Sequence, residues 1–159
     1  MAMSIRTSSP TYGAYFPALK SVRLLTLASP AYLAQHGTPR SPNELRHHEC
    51  LNYSELLSPT VWTYPSADQL HPSVPVQGRI MANNGTALMQ AAAQGMGITR
   101  QPDFIAEAFL ERGDVVSILT EFESPPMGIF AVLPSNRYIS HRVRVLMDFL
   151  SQALQTSQA

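Results

Sequence analysis

Thirteen prolines, crowded before about Pro75 and again over 125–134, argue against a helical bundle and require many short elements joined by stiff turns. Each proline fixes φ and removes a backbone donor, so regular structure must be punctuated wherever one falls. Two of them mark helix starts in the first 50 residues. Ser29-Pro30 places a capping hydroxyl before proline at the first helical position, opening a short helix through Ala31, Tyr32 and Leu33 that Gly37 can end. Ser41-Pro42 repeats the device for a second small helix.

The segments between these breaks alternate in type. After a brief strand at 3–6 and a loop broken by Ser8, Ser9, Pro10 and Gly13, residues 22–28 form an apolar run of strand length. Strands are expected at 50–53, 61–64 and 74–81, the last with Val74, Val76, Gly78 and Ile80 on one face and Pro75 at an edge. A helix over 84–94 puts Leu88, Ala91 and Ala92 on one face, with Asn84 as cap and Gly95 as terminator. A brief strand at 97–99 leads to a helix opened by Pro102, with Phe104, Ile105, Ala108 and Phe109 in one stripe and Gly113 at its end. Residues 115–119 and 128–133 read as strands buried on both faces. The last helix, about 140–154, buries Val143, Leu146, Met147, Leu150 and Leu154. Strands alternating with helices in this way give an α/β fold.

Composition narrows the function classes. Hydrophobic residues make up 45 % and charged residues 14 % of 159, enough for a packed core of ordinary domain size. The formal charge of zero removes the basic footprint that phosphate binding needs, so DNA is not expected to bind this chain directly. Cys50 is the single cysteine, no secretory leader opens the chain, and no apolar run approaches the roughly 20 residues needed to span a bilayer. A soluble cytoplasmic protein with no membrane contact is the expectation.

One long stretch is more specific. The run of 28–39, Ala-Ser-Pro-Ala-Tyr-Leu-Ala-Gln-His-Gly-Thr-Pro, continues through Pro42, Leu45, His47 or His48, and Cys50-Leu51. In order there follow Trp62, Gly78-Arg79, Asn83-Asn84-Gly85, Gly95-Met96-Gly97-Ile98, Pro102-Asp103-Phe104, Gly113, and Pro134 with Arg137 and Ser140. This pattern, over roughly 4–153, resembles the effector-binding domain of LysR-type transcription regulators. The resemblance implies a type-2 periplasmic-binding-protein-like α/β fold with a complete lobe II and a partial lobe I. It further implies a lobe I remnant and first crossover at 1–28, lobe II at 29–131, and a second crossover with the C-terminal lobe I helix at 132–159. Residues 3–6 resemble a late lobe I strand, so the helix-turn-helix, the linker and the first part of lobe I are expected to be missing. DNA would then be reached only through a domain absent from this chain. The implied partners are a small-molecule effector, with an organic acid as the fitting class, and further copies in a homodimer or higher homo-oligomer.

The site expectation centres on Asn83, Asn84, Gly85 and Thr86. A helix N-terminus carries partial positive charge suited to a carboxylate, Gly85 lets a ligand approach the backbone, and Asn83 or Thr86 can add hydrogen bonds. Asn84 as a plain cap and Gly85 as a packing residue explain the same letters equally well. Arg6 resembles a residue at the mouth of the cleft that could pair with a carboxylate, or is simply exposed. Ser29 lies at the first crossover, although capping already explains it. Tyr53 and Trp62 could line the cleft or belong to the core.

Other chemistry finds little support. His47, His48 and Cys50 with the distant His36 and His71 lack the paired spacing of a zinc site, so no metal and no cofactor are expected. No Gly-x-Ser-x-Gly elbow is present. Glu121 and Glu123 lie in a Pro-rich loop without an apolar pocket, and Gly95-x-Gly97 follows a helix, the wrong context for a dinucleotide. A sensing module, not an enzyme, is the reading. Its rivals are a free-standing solute-binding protein, which the missing leader disfavours, and a small hydrolase, which the missing elbow disfavours.

Overall fold

The computed structural model of the protein describes residues 4–6, 14–15, 20–65, 73–133 and 140–156, with side chains over 20–65, 73–129 and 140–154. The expected loop at 7–13, His71, Pro134 and Arg137 lie outside the described residues. The chain divides into two compact units, Met1–Val22 with Pro126–Ala159, and Arg23–Pro125.

In the first unit, β1 (Ser4–Arg6), β2 (Ala14–Tyr15) and β3 (Lys20–Val22) all pair antiparallel with the long β11 (Met127–Leu133). The helix α4 (His141–Thr156) buries Met147, against which Val143 and Leu154 pack. Leu146, expected in that buried stripe, is instead 43 % exposed, and Val145 and Phe149 are more exposed still. Among the described residues Val143 and Leu154 are partly buried beside Met147, so the covered stripe is narrower than the spacing suggests.

The Arg23–Pro125 unit is built on a five-stranded sheet in the order β10 (Val116–Ile118), β4 (Leu24–Ala28), β9 (Ile98–Pro102), β5 (Cys50–Tyr53), β8 (Met81–Ala82). β4 runs antiparallel to both of its neighbours, whereas β9, β5 and β8 are mutually parallel. Alternation along β4 and β5 separates two cores. Leu25, Leu27 and Leu51 face the helices α2 (Gly85–Ala93) and α3 (Asp103–Glu111), meeting Leu88, Met89, Ala92, Ala106 and Phe109. Ala28 and Cys50 face the other way, toward Tyr32 of α1 (Pro30–His36), Leu45 of the 3-10 turn Pro42–His47, and the hairpin β6 (Val61–Thr63) with β7 (Ser73–Pro75). Trp62 is 4 % exposed within that second core, which settles it as a packing residue.

Local signals explain the helix ends. The Ser29 hydroxyl accepts from Tyr32 N at 3.2 Å, and Asn84 Oδ1 accepts from Ala87 N at 3.0 Å. Gly37, Gly95 and Gly113 all carry positive φ where α1, α2 and α3 stop.

Four segments of the Arg23–Pro125 unit and its border also differ from expectation. The run at 22–28 splits into β3 and β4 at Arg23, whose amide donates to Asp103 Oδ2 at 3.0 Å and whose carbonyl accepts from Asp103 N at 2.9 Å. The strand expected at 74–81 breaks into β7 and β8, because Gly78 lies so close to β5 that a Cβ there would overlap the Cys50 carbonyl. In α3 the buried residues are Ala106 and Phe109, while Phe104 is 46 % exposed and Ala108 is also exposed. β10 is an edge strand paired only with β4, so Val116 stays 38 % exposed instead of buried on both faces.

Candidate functional site

The turn after β8 is the natural place to look for a ligand, because ligands of open α/β sheets bind outside the carboxyl ends of parallel strands. β8 lies beside β5 in parallel register, Asn52 against Met81 and Tyr53 against Ala82, and the chain leaves the sheet there as Asn83-Asn84-Gly85-Thr86. Asn83, Asn84 and Thr86 are exposed and Gly85 is buried. With Ala87 N capped by Asn84, the amides of Gly85 and Thr86 remain without a partner inside the helix. The turn therefore brings together two amides without helical partners, one on buried Gly85 and one on exposed Thr86, with an exposed threonine hydroxyl and asparagine amide.

A buried polar chain beneath α2 holds this turn, and sequence reasoning missed it. A Cβ on Gly85 would stand 2.6 Å from Gln101 Oε1 and 2.9 Å from Ile105 Cδ1, so glycine is what lets α2 seat on β9 and α3. Gln101 Nε2 donates to Thr99 Oγ1 at 3.1 Å, and Thr99 Oγ1 donates to the Leu51 carbonyl at 3.4 Å. Both side chains are buried. The available signal was Thr99-Arg100-Gln101, three polar residues in succession between apolar Ile98 and Pro102.

Of the remaining candidates, only Tyr53 is paired in register beside this turn, opposite Ala82. Ser29 is buried and caps α1. Tyr53 is half-buried against the core under α2 and α3. Arg6 pairs through its backbone with Phe130 in the other unit, and its side chain lies outside the described residues.

The histidines form an aromatic cluster at the end of α1. His36 stacks on Tyr32 with centroids 4.3 Å apart, and the Tyr32 hydroxyl lies 3.2 Å from His48 Nδ1 while accepting from Glu49 N at 3.0 Å. With one lone pair of that hydroxyl taken by the Glu49 amide, its proton and second lone pair face His48 Nδ1, and the histidine tautomer sets which of the two donates. Burial, and then the nearby His36, hold the His48 pKa below its ordinary value of 6.5 against the opposing pull of Glu44. The Cys50 thiol is pushed up to about 12 by burial and by Glu49, so it stays protonated at neutral pH and is a poor ligand or nucleophile. Among the described residues no group of three His, Cys, Asp or Glu could hold a metal ion.

A pH dependence follows from His48. Its folded pKa is depressed, so the unfolded chain takes up the proton first; stability is complete above about pH 6.5 and is lost as pH falls through the folded value. Denaturation midpoints at pH 8 and pH 5.5 should drop further for the wild type than for His48→Gln, whose amide can still accept from Tyr32. Equal drops would remove His48 from the acid response.

Comparison with known proteins decides the family. The LysR substrate binding domain matches residues 6–155. This chain belongs to that family. The probable HTH-type transcriptional regulator LtrA of Klebsiella pneumoniae is 30 % identical over 156 residues, covering 96 % of this chain and 50 % of the relative. The HTH-type transcriptional regulator CrgA of Neisseria meningitidis serogroup B is 35 % identical over 133 residues, covering 83 % of this chain and 44 % of the relative. The solved CrgA regulatory domain superposes with a TM-score of 0.77 at 29 % identity, over 96 % of this chain and 74 % of that one. This LysR substrate-binding domain thus has the periplasmic-binding-protein-like α/β fold of LysR regulatory domains, and it spans about half the length of the curated relatives it matches. Among the described residues no helix is long and apolar enough to cross a membrane.

Proposed function

We propose that the chain is the effector-sensing part of a LysR-type transcription regulator and that a small organic acid binds at Asn83, Asn84, Gly85 and Thr86. The observation that carries the site is the exposed α2 N-terminus at the end of two parallel strands, with the Gly85 and Thr86 amides free of intrahelical partners. The carboxylate accepts from these amides, and the Thr86 hydroxyl and Asn83 amide fix its orientation. Tyr53 contributes through packing behind the turn. Arg6 and Ser29 belong to this reading through the family resemblance alone, Ser29 with its hydroxyl already committed to α1.

The Arg23–Pro125 unit corresponds in this reading to lobe II. The ligand acts by shifting a population between conformations that it binds with different affinity. The domain senses without catalysing, works in the cytoplasm as a homodimer or higher homo-oligomer, and reaches DNA through a separate helix-turn-helix domain of the kind the relatives' names denote.

Calorimetry against a panel of small organic acids tests the site. Thr86→Ala should weaken binding by about 1 kcal/mol for one neutral hydrogen bond, and by more if the ligand oxygen is charged. Unchanged affinity in both Thr86→Ala and Asn84→Ala would place the ligand elsewhere.

A further inference from the structure

The sheet face opposite α2 carries a row of polar side chains inside an apolar core. Thr26 of β4 pairs in register with Arg100 of β9, and beyond the Leu51–Thr99 pair the next residues along β5 and β9 are Asn52 and Arg100. Thr26 and Asn52 are buried at 2 % and 0 % exposure. The Arg100 guanidinium lies over the Tyr64 ring at 4.3 Å and donates from Nη1 to the Thr63 carbonyl at 3.0 Å, while Tyr64 Oη and Thr26 Oγ1 are 3.0 Å apart.

Two atoms of this row are enclosed and unpartnered, Asn52 Oδ1 and Arg100 Nε. The orientation of the Asn52 amide is fixed, because its Nδ2 donates to the Cys50 carbonyl at 3.3 Å. One unpartnered atom is thus an acceptor and the other, on the adjacent strand, a donor. Buried polar groups left unpaired are costly, and adjacent strands stand only about 4.8 Å apart, so a single small group can serve both.

We propose that a neutral hydroxyl oxygen sits between Arg100 and Asn52, accepting from Nε and donating to Oδ1. The donor and acceptor pair selects its chemistry. A carboxylate could accept from Arg100 but has no proton for Asn52, and an ammonium would meet the guanidinium charge. An O–H group does both, whether it is an internal water or the hydroxyl of a small molecule. The site is independent of the effector turn, which lies toward the opposite face.

A crystal structure of the 159-residue chain that places ordered waters tests it directly. The expected result is one density peak about 2.8–3.0 Å from both Nε and Oδ1. An isolated peak identifies water, and density continuing beyond the first atom identifies the hydroxyl of a small molecule. Empty space, or a direct contact between the two side chains, would overturn the proposal. In solution, Asn52→Leu and Arg100→Met should each lower the melting temperature, and the double variant should lose less than the sum, since removing both partners leaves nothing unsatisfied. Strict additivity would also overturn it.

Discussion

Gly97→Ala is expected to destabilise the Arg23–Pro125 unit by about 3–5 kcal/mol, a large part of what a domain of this size possesses. Gly97 has φ +154°, and a Cβ there would lie 2.5 Å from the Glu49 carbonyl oxygen and 3.1 Å from its carbon. These are backbone atoms, so no rotamer change relieves the clash. The same carbonyl accepts from Ile98 N at 2.8 Å, which is how β9 enters its pairing with β5. Moving it to make room therefore disturbs the centre of the sheet. Gly113 is the control: its φ is +73°, but nothing lies within 4 Å of an added Cβ, so Gly113→Ala should cost only about 1–2 kcal/mol of conformational strain. Urea unfolding of the two variants makes the comparison, and equal losses would show that the tight approach at Gly97 is not what matters.

The second large effect is at Tyr64. Its ring is 1 % exposed, packs in the core with Trp62, Val74 and Ile98, lies beneath the Arg100 guanidinium, and ends in a hydroxyl paired with Thr26. Tyr64→Ala opens a large cavity and leaves the Thr26 hydroxyl buried without its partner, an expected loss of about 3–5 kcal/mol. Tyr64→Phe keeps the volume and loses only the hydroxyl, so about 1–2 kcal/mol is expected. Thermal or denaturant unfolding ranks the two. A Tyr64→Ala loss no larger than that of Tyr64→Phe would mean that the ring contributes nothing by packing.

Helix termini were legible because they depend on atoms within four residues of one another. Ser29-Pro30, Asn84, Gly95 and Gly113 all do what their letters suggest. The order of motifs from Ala28 to Ser140 was legible as a family pattern for a related reason: it strings together many such local requirements. The candidate turn was legible in position, at the end of a strand and the start of a helix. Its support was not, since the bond from Thr99 to the Leu51 carbonyl depends on which strand lies next to β9, and Gln101 builds on that bond.

What the sequence determined by itself was element type, helix ends and family. Those follow from proline and glycine geometry, from caps and from spacing along one chain. The break between β7 and β8, the exposure of Phe104 and Leu146, the edge position of β10 and the buried row Thr26, Arg100 and Asn52 were decided only by tertiary structure. For the strand break and the buried row the deciding neighbour is distant in sequence: Cys50 faces Gly78, and Tyr64 and Thr26 face Arg100. Periodicity says which residues share a face; only packing says whether that face is covered, and with what.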